Sequence, residues 1–371
     1  MKRKMRWAGL RYLIATGMII LLFTHCGGGL KTGSKFRGNA WNTGTYPTQP
    51  LQHSPQVKWK FAAEGWVRSS AAIGKQTVYF GCTRGFLYAV DILTGELKWK
   101  FKTGGEIGAT PLVTGDRVFI GSYDGNVYSL DALTGEEVWR FATEGKIFSS
   151  PVVSGGTVYA GNLDGELFAI SKKNGKLLWQ QQIGTGFSSS PAIANGSLFI
   201  GSWDGNLYAI TRKDGSERWH FETQNLIFSS PAFWHDVVYV GSLDGNFYAV
   251  NAKTGKEIWK FTTGDQITAS PAVTERSVYF GSKDGYFYAL DALSGELRWK
   301  YDANAEIESS PAVAGDMVYF GTEAGMLIGV NRRTGEPVWN FSTGGRIFSS
   351  PVVYEGQIFF GSKDGSFYAL Q

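Results

Sequence analysis

The sequence predicts an all-β fold, an eight-bladed β-propeller of four-stranded antiparallel blades, and three observations predict it. Tryptophans fall at Trp59, Trp99, Trp139, Trp179, Trp219, Trp259, Trp299 and Trp339, each forty residues after the last. Glycines keep the same step from Gly81 to Gly361, and a second glycine follows each by four residues, from Gly85 to Gly365. Each unit also holds four short runs of β-branched and aromatic residues separated by turn residues. A period near forty fits helical repeats as well, but a helix does not tolerate glycine at this density.

The amino-terminal elements come before the repeats. Residues 1–25 carry Lys2, Arg3, Lys4, Arg6 and Arg11 without an acid, then an apolar run over 12–23. That run is too short to span a bilayer, which needs about 20 residues, and matches the charged and hydrophobic regions of a secretory signal. Cys26 follows at once, and the arrangement resembles a bacterial lipoprotein signal, although His25 departs from the small residue expected before the cysteine. The resemblance implies cleavage before Cys26, lipidation of its thiol and an envelope location, with the outer membrane favoured because Gly27, not Asp, comes next. The alternative is an ordinary secretory signal beside an incidental thiol. Residues 26–56 hold Gly27-Gly28-Gly29, Pro47, Pro50 and Pro55 and read as a tether and irregular lead-in. Without residues 1–25 the chain has 31 basic against 32 acidic groups, so it lacks the footprint of a nucleic-acid binder.

The propeller is expected over 57–371. One unit reads IFSSPVV (147–153), TVYAG (157–161), ELFAI (166–170) and KLLWQ (176–180). Asp164-Gly165 and Asn174-Gly175 between them are hairpin signals, because a two-residue turn needs positive φ. The last unit stops at Gln371 before its tryptophan strand, whereas residues 57–61 are such a strand with no preceding three. Pairing 57–61 with the last blade closes the ring and removes an open edge.

At the turn before each tryptophan strand the sequence becomes specific. Ala89-x-Asp91-x-x-Thr94-Gly95-x-x-x-Trp99 recurs as Ala249-x-Asn251-x-x-Thr254-Gly255-x-x-x-Trp259 and Ala289-x-Asp291-x-x-Ser294-Gly295-x-x-x-Trp299. It resembles the tryptophan-docking motif of the pyrroloquinoline-quinone (PQQ)-type propeller repeats. The resemblance implies that all eight repeat tryptophans, Trp59 to Trp339, are structural and pack on a neighbouring blade. Lipoprotein signal and propeller together resemble the outer-membrane assembly lipoproteins of the BamB type, which implies a non-catalytic, lipid-anchored scaffold for an envelope protein partner.

Chemical motifs are scarce. Two cysteines, Cys26 and Cys82, exclude a four-cysteine zinc site and an iron–sulfur cluster. His53, His220 and His235 share no ligand spacing, and the recurring hairpin aspartates Asp124, Asp164, Asp204, Asp244, Asp284 and Asp364 suit turns better than metal. No catalytic, cofactor or metal residue is assigned. PQQ stays as the alternative cofactor, since quinoprotein dehydrogenases share such a propeller. Those enzymes resemble one another in carrying vicinal cysteines, calcium-ligating acids and long insertions, whereas this chain has no Cys-Cys pair and its blades are uninterrupted.

Individuality should lie where repeats differ. The crossovers between blades vary at Arg68, Gly108, Phe148, Ser188, Phe228, Thr268, Glu308 and Phe348, and the hairpins at Thr83, Tyr123, Leu163, Trp203, Leu243, Lys283, Glu323 and Lys363. Both rows belong to one end of the ring. Arg68, Tyr123, Phe148, Trp203, Phe228, Glu308 and Phe348 are the candidate partner-binding rim. The expected molecule is a monomeric propeller that binds an envelope protein and the membrane through its anchor, but no nucleic acid. A sensor binding sugar or peptide in the central funnel is a further alternative.

Overall fold

The computed structural model describes residues 37–371. The signal-like segment and Cys26 lie outside the described residues. No helix among the described residues is long and apolar enough to cross a membrane.

Eight four-stranded antiparallel sheets succeed one another along the chain. In blade 1, strand A is Ala72–Gly74, B is Thr77–Gly81, C is Phe86–Asp91 and D is Leu97–Lys102. The pattern repeats at forty-residue steps. Blade 8 takes A, B and C from Val352–Tyr354, Gln357–Gly361 and Ser366–Leu370, and its D strand is Val57–Ala62. Phe61 sits opposite Phe367, and the main chains of Gln56 and Gln371 exchange two hydrogen bonds of 3.0 Å. The chain ends of the ring are therefore zipped together as the sequence predicts.

The core lies between blades. Strand C of one blade packs on strand B of the next: Phe367 stacks on Phe80 at 3.9 Å, Phe247 on Phe280 at 4.1 Å and Phe287 on Phe320 at 4.0 Å. Such offset aromatic pairs add to the large area they bury. Each strand D carries a bulge: Ala89 faces Trp99 but Val90 faces Leu97, leaving Lys98 over. The bulge re-aims the strand, and its tryptophan turns onto the following blade. Trp99 Nε1 donates to Ala132 O at 3.2 Å and Trp259 Nε1 to Ala292 O at 3.2 Å. The indole lies flat against the turn glycine. A Cβ on Gly135 would meet the Trp99 ring at 2.6 Å, and its φ of +76° excludes most side chains independently.

Trp339, in strand D of blade 7, finds no C–D turn on blade 8, whose C and D strands come from opposite chain ends of the ring. Its Nε1 donates instead to Leu51 O at 2.8 Å, and Tyr319 Oη bonds the Leu51 main chain. The lead-in, irregular over its described residues, is thus bonded into the ring. Upstream, it threads across the inner strands: Ala40 O, Trp41 O, Thr43 O and Gly44 O accept hydrogen bonds from Ile193, Phe233, Val273 and Val313 N–H. These are strand-A amides of blades 4 to 7, whose inner edges have no strand partner. The Arg37 guanidinium is buried between the carbonyls of Pro271 and Pro311, and burial pulls its pKa down to about 10.

Candidate functional site

The eight A strands surround a central channel with three levels. Its mouth is made by the crossovers and the B–C hairpins. Its waist is a ring of hydroxyls, Ser70, Thr110, Ser150, Ser190, Ser230, Ser270, Ser310 and Ser350. Its far end is crossed by the lead-in, where Asn42 Nδ2 donates to Ser190 O and Pro231 O.

The waist is structural. Main-chain N–H groups of Thr110, Ser150, Ser190, Ser230 and Ser270 each donate to the hydroxyl of the next blade at 2.8–2.9 Å, and Ser350 N–H reaches Ser70 across the ring closure. Hydroxyls committed in this way bind neighbouring blades and are poorly placed to act as nucleophiles.

Above the waist the mouth opens as a funnel of about 370 Å³. All seven candidate rim residues, Arg68, Tyr123, Phe148, Trp203, Phe228, Glu308 and Phe348, line it together with Leu163, Ser188, Thr268 and Lys283. Each of the seven is half-buried; the whole crossover row lines the funnel, whereas of the hairpin row only Tyr123, Leu163, Trp203 and Lys283 do. Tyr123 meets Phe148 at 6.0 Å and Trp203 meets Phe228 at 5.8 Å, both pairs tilted. Trp203 Nε1 is held by Ser188 Oγ at 3.0 Å. The opposite wall is charged: Lys283 pairs with Glu308 at 2.8 Å and Arg346 with Glu323 at 2.9 Å.

A third variable row escaped the sequence reading. Trp66, Glu106, Lys146, Gly186, Leu226, Gln266, Glu306 and Arg346 precede the crossover row by two residues, and several of them supply counter-charges at the mouth. Glu106 lies 4.0 Å from Arg68, and burial pushes its carboxyl up. The signal was available, since these positions vary as widely as those selected.

The hairpin aspartates are bound up in the scaffold. Asp124 Oδ2 accepts from Gly104 N–H at 2.7 Å and from Tyr128 Oη at 2.7 Å, and its Oδ1 accepts from Asn126 N–H at 3.0 Å. Burial pushes this carboxyl up, but the hydrogen bonds outweigh it and hold the group below the usual carboxylate range. The Tyr–Asp pair recurs at Tyr208, Tyr248, Tyr288 and Tyr368. Glu306, Glu308 and Glu323 bring carboxylate oxygens within 4.8 Å of one another, but Glu308 and Glu323 are already ion-paired.

A bound PQQ with its calcium would need flat faces to hold the ring and free acids to ligate the metal. The described residues do not fit that need. Cys82 is buried in the core between blades 8 and 1, the funnel aromatics are tilted, and two of the three converging acids are neutralised. The funnel lining contains neither His nor Cys. His220 sits on an exposed outer strand beside Glu217, and His235 in a turn of blade 5.

Two family models divide the chain. Residues 51–237, just over half of it, match the β-propeller of the beta-alanine-activating enzyme, and residues 244–371 match the outer membrane protein assembly factor BamB. No curated protein matches significantly. Among solved structures, the chain is similar to BamB from Moraxella catarrhalis, with 19% identity over 85% of this chain and 97% of that one and a TM-score of 0.74. It is similar to the computationally designed Ika8 protein, with 20% identity over 83% and 98% and a TM-score of 0.74. It is also similar to the quinohemoprotein alcohol dehydrogenase from Comamonas testosteroni, with 14% identity over 92% and 80% and a TM-score of 0.79. At such identities the structural likeness speaks for the fold, which binding proteins and enzymes share. The forty-residue unit, the closed ring and the two family matches together make the chain a member of the PQQ-like β-propeller repeat family.

Proposed function

We propose that this protein is a non-catalytic binding propeller of the cell envelope, lipid-anchored through Cys26, that receives a segment of a protein partner in its funnel during outer-membrane protein assembly. One observation carries the reading: in a ring of near-equivalent blades, the variable crossover row and half of the variable hairpin row line a single aromatic funnel crossed at its far end by the lead-in. A binding site on a repeating scaffold has to break its symmetry, and aromatic side chains at the centre of a concave surface are the usual carriers of binding energy. The match of residues 244–371 to the assembly factor BamB supports the choice of pathway.

The test places a photo-crosslinking residue at position 228 in the full chain in its native envelope. Capture of a discrete envelope protein is expected, and it should disappear in the Phe148→Ser/Phe348→Ser double variant while the melting temperature stays within a few degrees. Crosslinks that persist in that variant would overturn the assignment of the funnel.

A further inference from the structure

Taking the funnel as the binding site, as proposed above, we infer that its occupant is a polypeptide segment presenting an aromatic side chain beside a carboxylate. The aromatic ring would lie against Tyr123, Phe148, Trp203 and Phe228, and the carboxylate would meet Arg68 and Lys363.

The apolar part follows from the wall itself. Four aromatic side chains from the crossovers and hairpins of blades 2 to 5 are half-buried and line a cavity of about 370 Å³. That space admits a large side chain with its neighbouring groups but no folded element. The anionic part follows from charge left over on the opposite side. Arg68 spans the mouth, its Cζ 5.5 Å from the Phe348 ring and 5.8 Å from the Phe148 ring. It reaches Phe148 across Gly108, where a Cβ would come within 2.9 Å of the Phe148 ring. The Lys363 ammonium lies 4.2 Å from the Phe348 ring and 4.9 Å from the Trp66 ring. Among the described residues, Lys363 forms no ion pair, whereas the neighbouring Glu308 and Glu323 are taken by Lys283 and Arg346.

Glu106 compensates Arg68 weakly. It stands 4.0 Å away, one of its oxygens is buried without a hydrogen bond, and burial raises its pKa. Burial and the nearby Arg68 and Arg346 also push the Lys363 ammonium down, against the smaller opposing pull of Glu323 and Glu308. An incoming carboxylate would supply negative charge, and pairing with a guanidinium and an ammonium is among the stronger polar contacts available. The paired rings are tilted by 50° and 47° and so offer no parallel slot for a fused, flat cofactor, whereas a single aromatic side chain can pack against them.

The probes are N-acetyl-phenylalanine, its neutral amide and PQQ, titrated against the full chain by ligand-observed NMR and calorimetry. The carboxylate is expected to bind about tenfold more tightly than the amide. In Arg68→Gln/Lys363→Gln this preference should vanish while the amide still binds and the melting temperature holds. Equal affinity of the wild type for both probes would overturn the anionic inference and leave the funnel reading intact, since the photo-crosslinking result judges that separately. Binding of neither probe, or stoichiometric PQQ binding that displaces N-acetyl-phenylalanine, would overturn the inference in full.

Discussion

At the scale of single residues, the repeat tryptophans and their glycines act as pairs. Trp259 is buried against Gly295 and its N–H is satisfied by Ala292 O. Trp259→Ala should therefore cost about 3–5 kcal/mol, the range for large aromatic truncations, read from urea denaturation; a near-silent change would remove the pair from the account of stability. Gly135→Ala should destabilise as well, because it adds a methyl where the Trp99 ring already sits. The hairpin acids make a different statement. Asp124 and Asp364 are held below the usual carboxylate range chiefly by Tyr128 and Tyr368 hydroxyls and by backbone N–H groups, against the opposing effect of burial. A depressed folded pKa means that their contribution is complete above the unfolded value of about 3.9 and is lost as pH falls through the folded value. Asp124→Asn/Asp364→Asn should accordingly show a smaller loss of melting temperature between neutral and strongly acidic pH than the wild type. The glycines and tryptophans were legible in the sequence because their spacing is constant. The Asp–Tyr pairs were not, because each aspartate also satisfies the local rules of a tight turn.

Among the elements, strands and hairpins were readable wherever side chains announce them. Asp-Gly and Asn-Gly dipeptides marked the turns, and short runs of β-branched and aromatic residues marked the strands. The lead-in was not readable, because its bonds to blades 4 to 7 are made by main-chain carbonyls that leave no side-chain signature. Arg37 and Asn42 bond backbone carbonyls with their side chains, Thr48 Oγ1 accepts from Glu355 N–H, and Trp41 meets Phe233 and Trp234, but none of these contacts follows from a repeat position. Deleting residues 37–51 should lower the melting temperature and expose Trp339, seen as increased acrylamide quenching. The same deletion would unpair the strand-A amides of Ile193, Phe233, Val273 and Val313 and should speed their hydrogen exchange. The candidate rim was legible for the opposite reason: on a repeating frame, any position free to vary stands out. Its placement was only half seen, since the crossover row and half of the hairpin row face inward. The ion pairs Lys283–Glu308 and Arg346–Glu323 join neighbouring blades, which sequence spacing alone does not bring together.

For the whole molecule, closure decides whether eight sheets behave as one body. Apart from the lead-in, core contacts lie within a blade or between adjacent blades, so stability is a sum of near-neighbour terms and an open ring loses one of them outright. Removing residues 57–62 would strip blade 8 of its outer strand and expose Phe367 and Phe80. The expected result is loss of a single cooperative unfolding transition in calorimetry, and retention of one sharp transition would show that the remaining blades hold each other without the seam. The lead-in adds a mechanical consequence. Its main chain is laced to four successive blades and reaches the last tryptophan before entering the seam strand. Force applied at the amino terminus would be shared as shear across many parallel bonds and would not peel one sheet at a time. An anchor at Cys26 would then pull on a load-bearing hub, and a propeller held in a moving envelope could be tugged hard without being unwound.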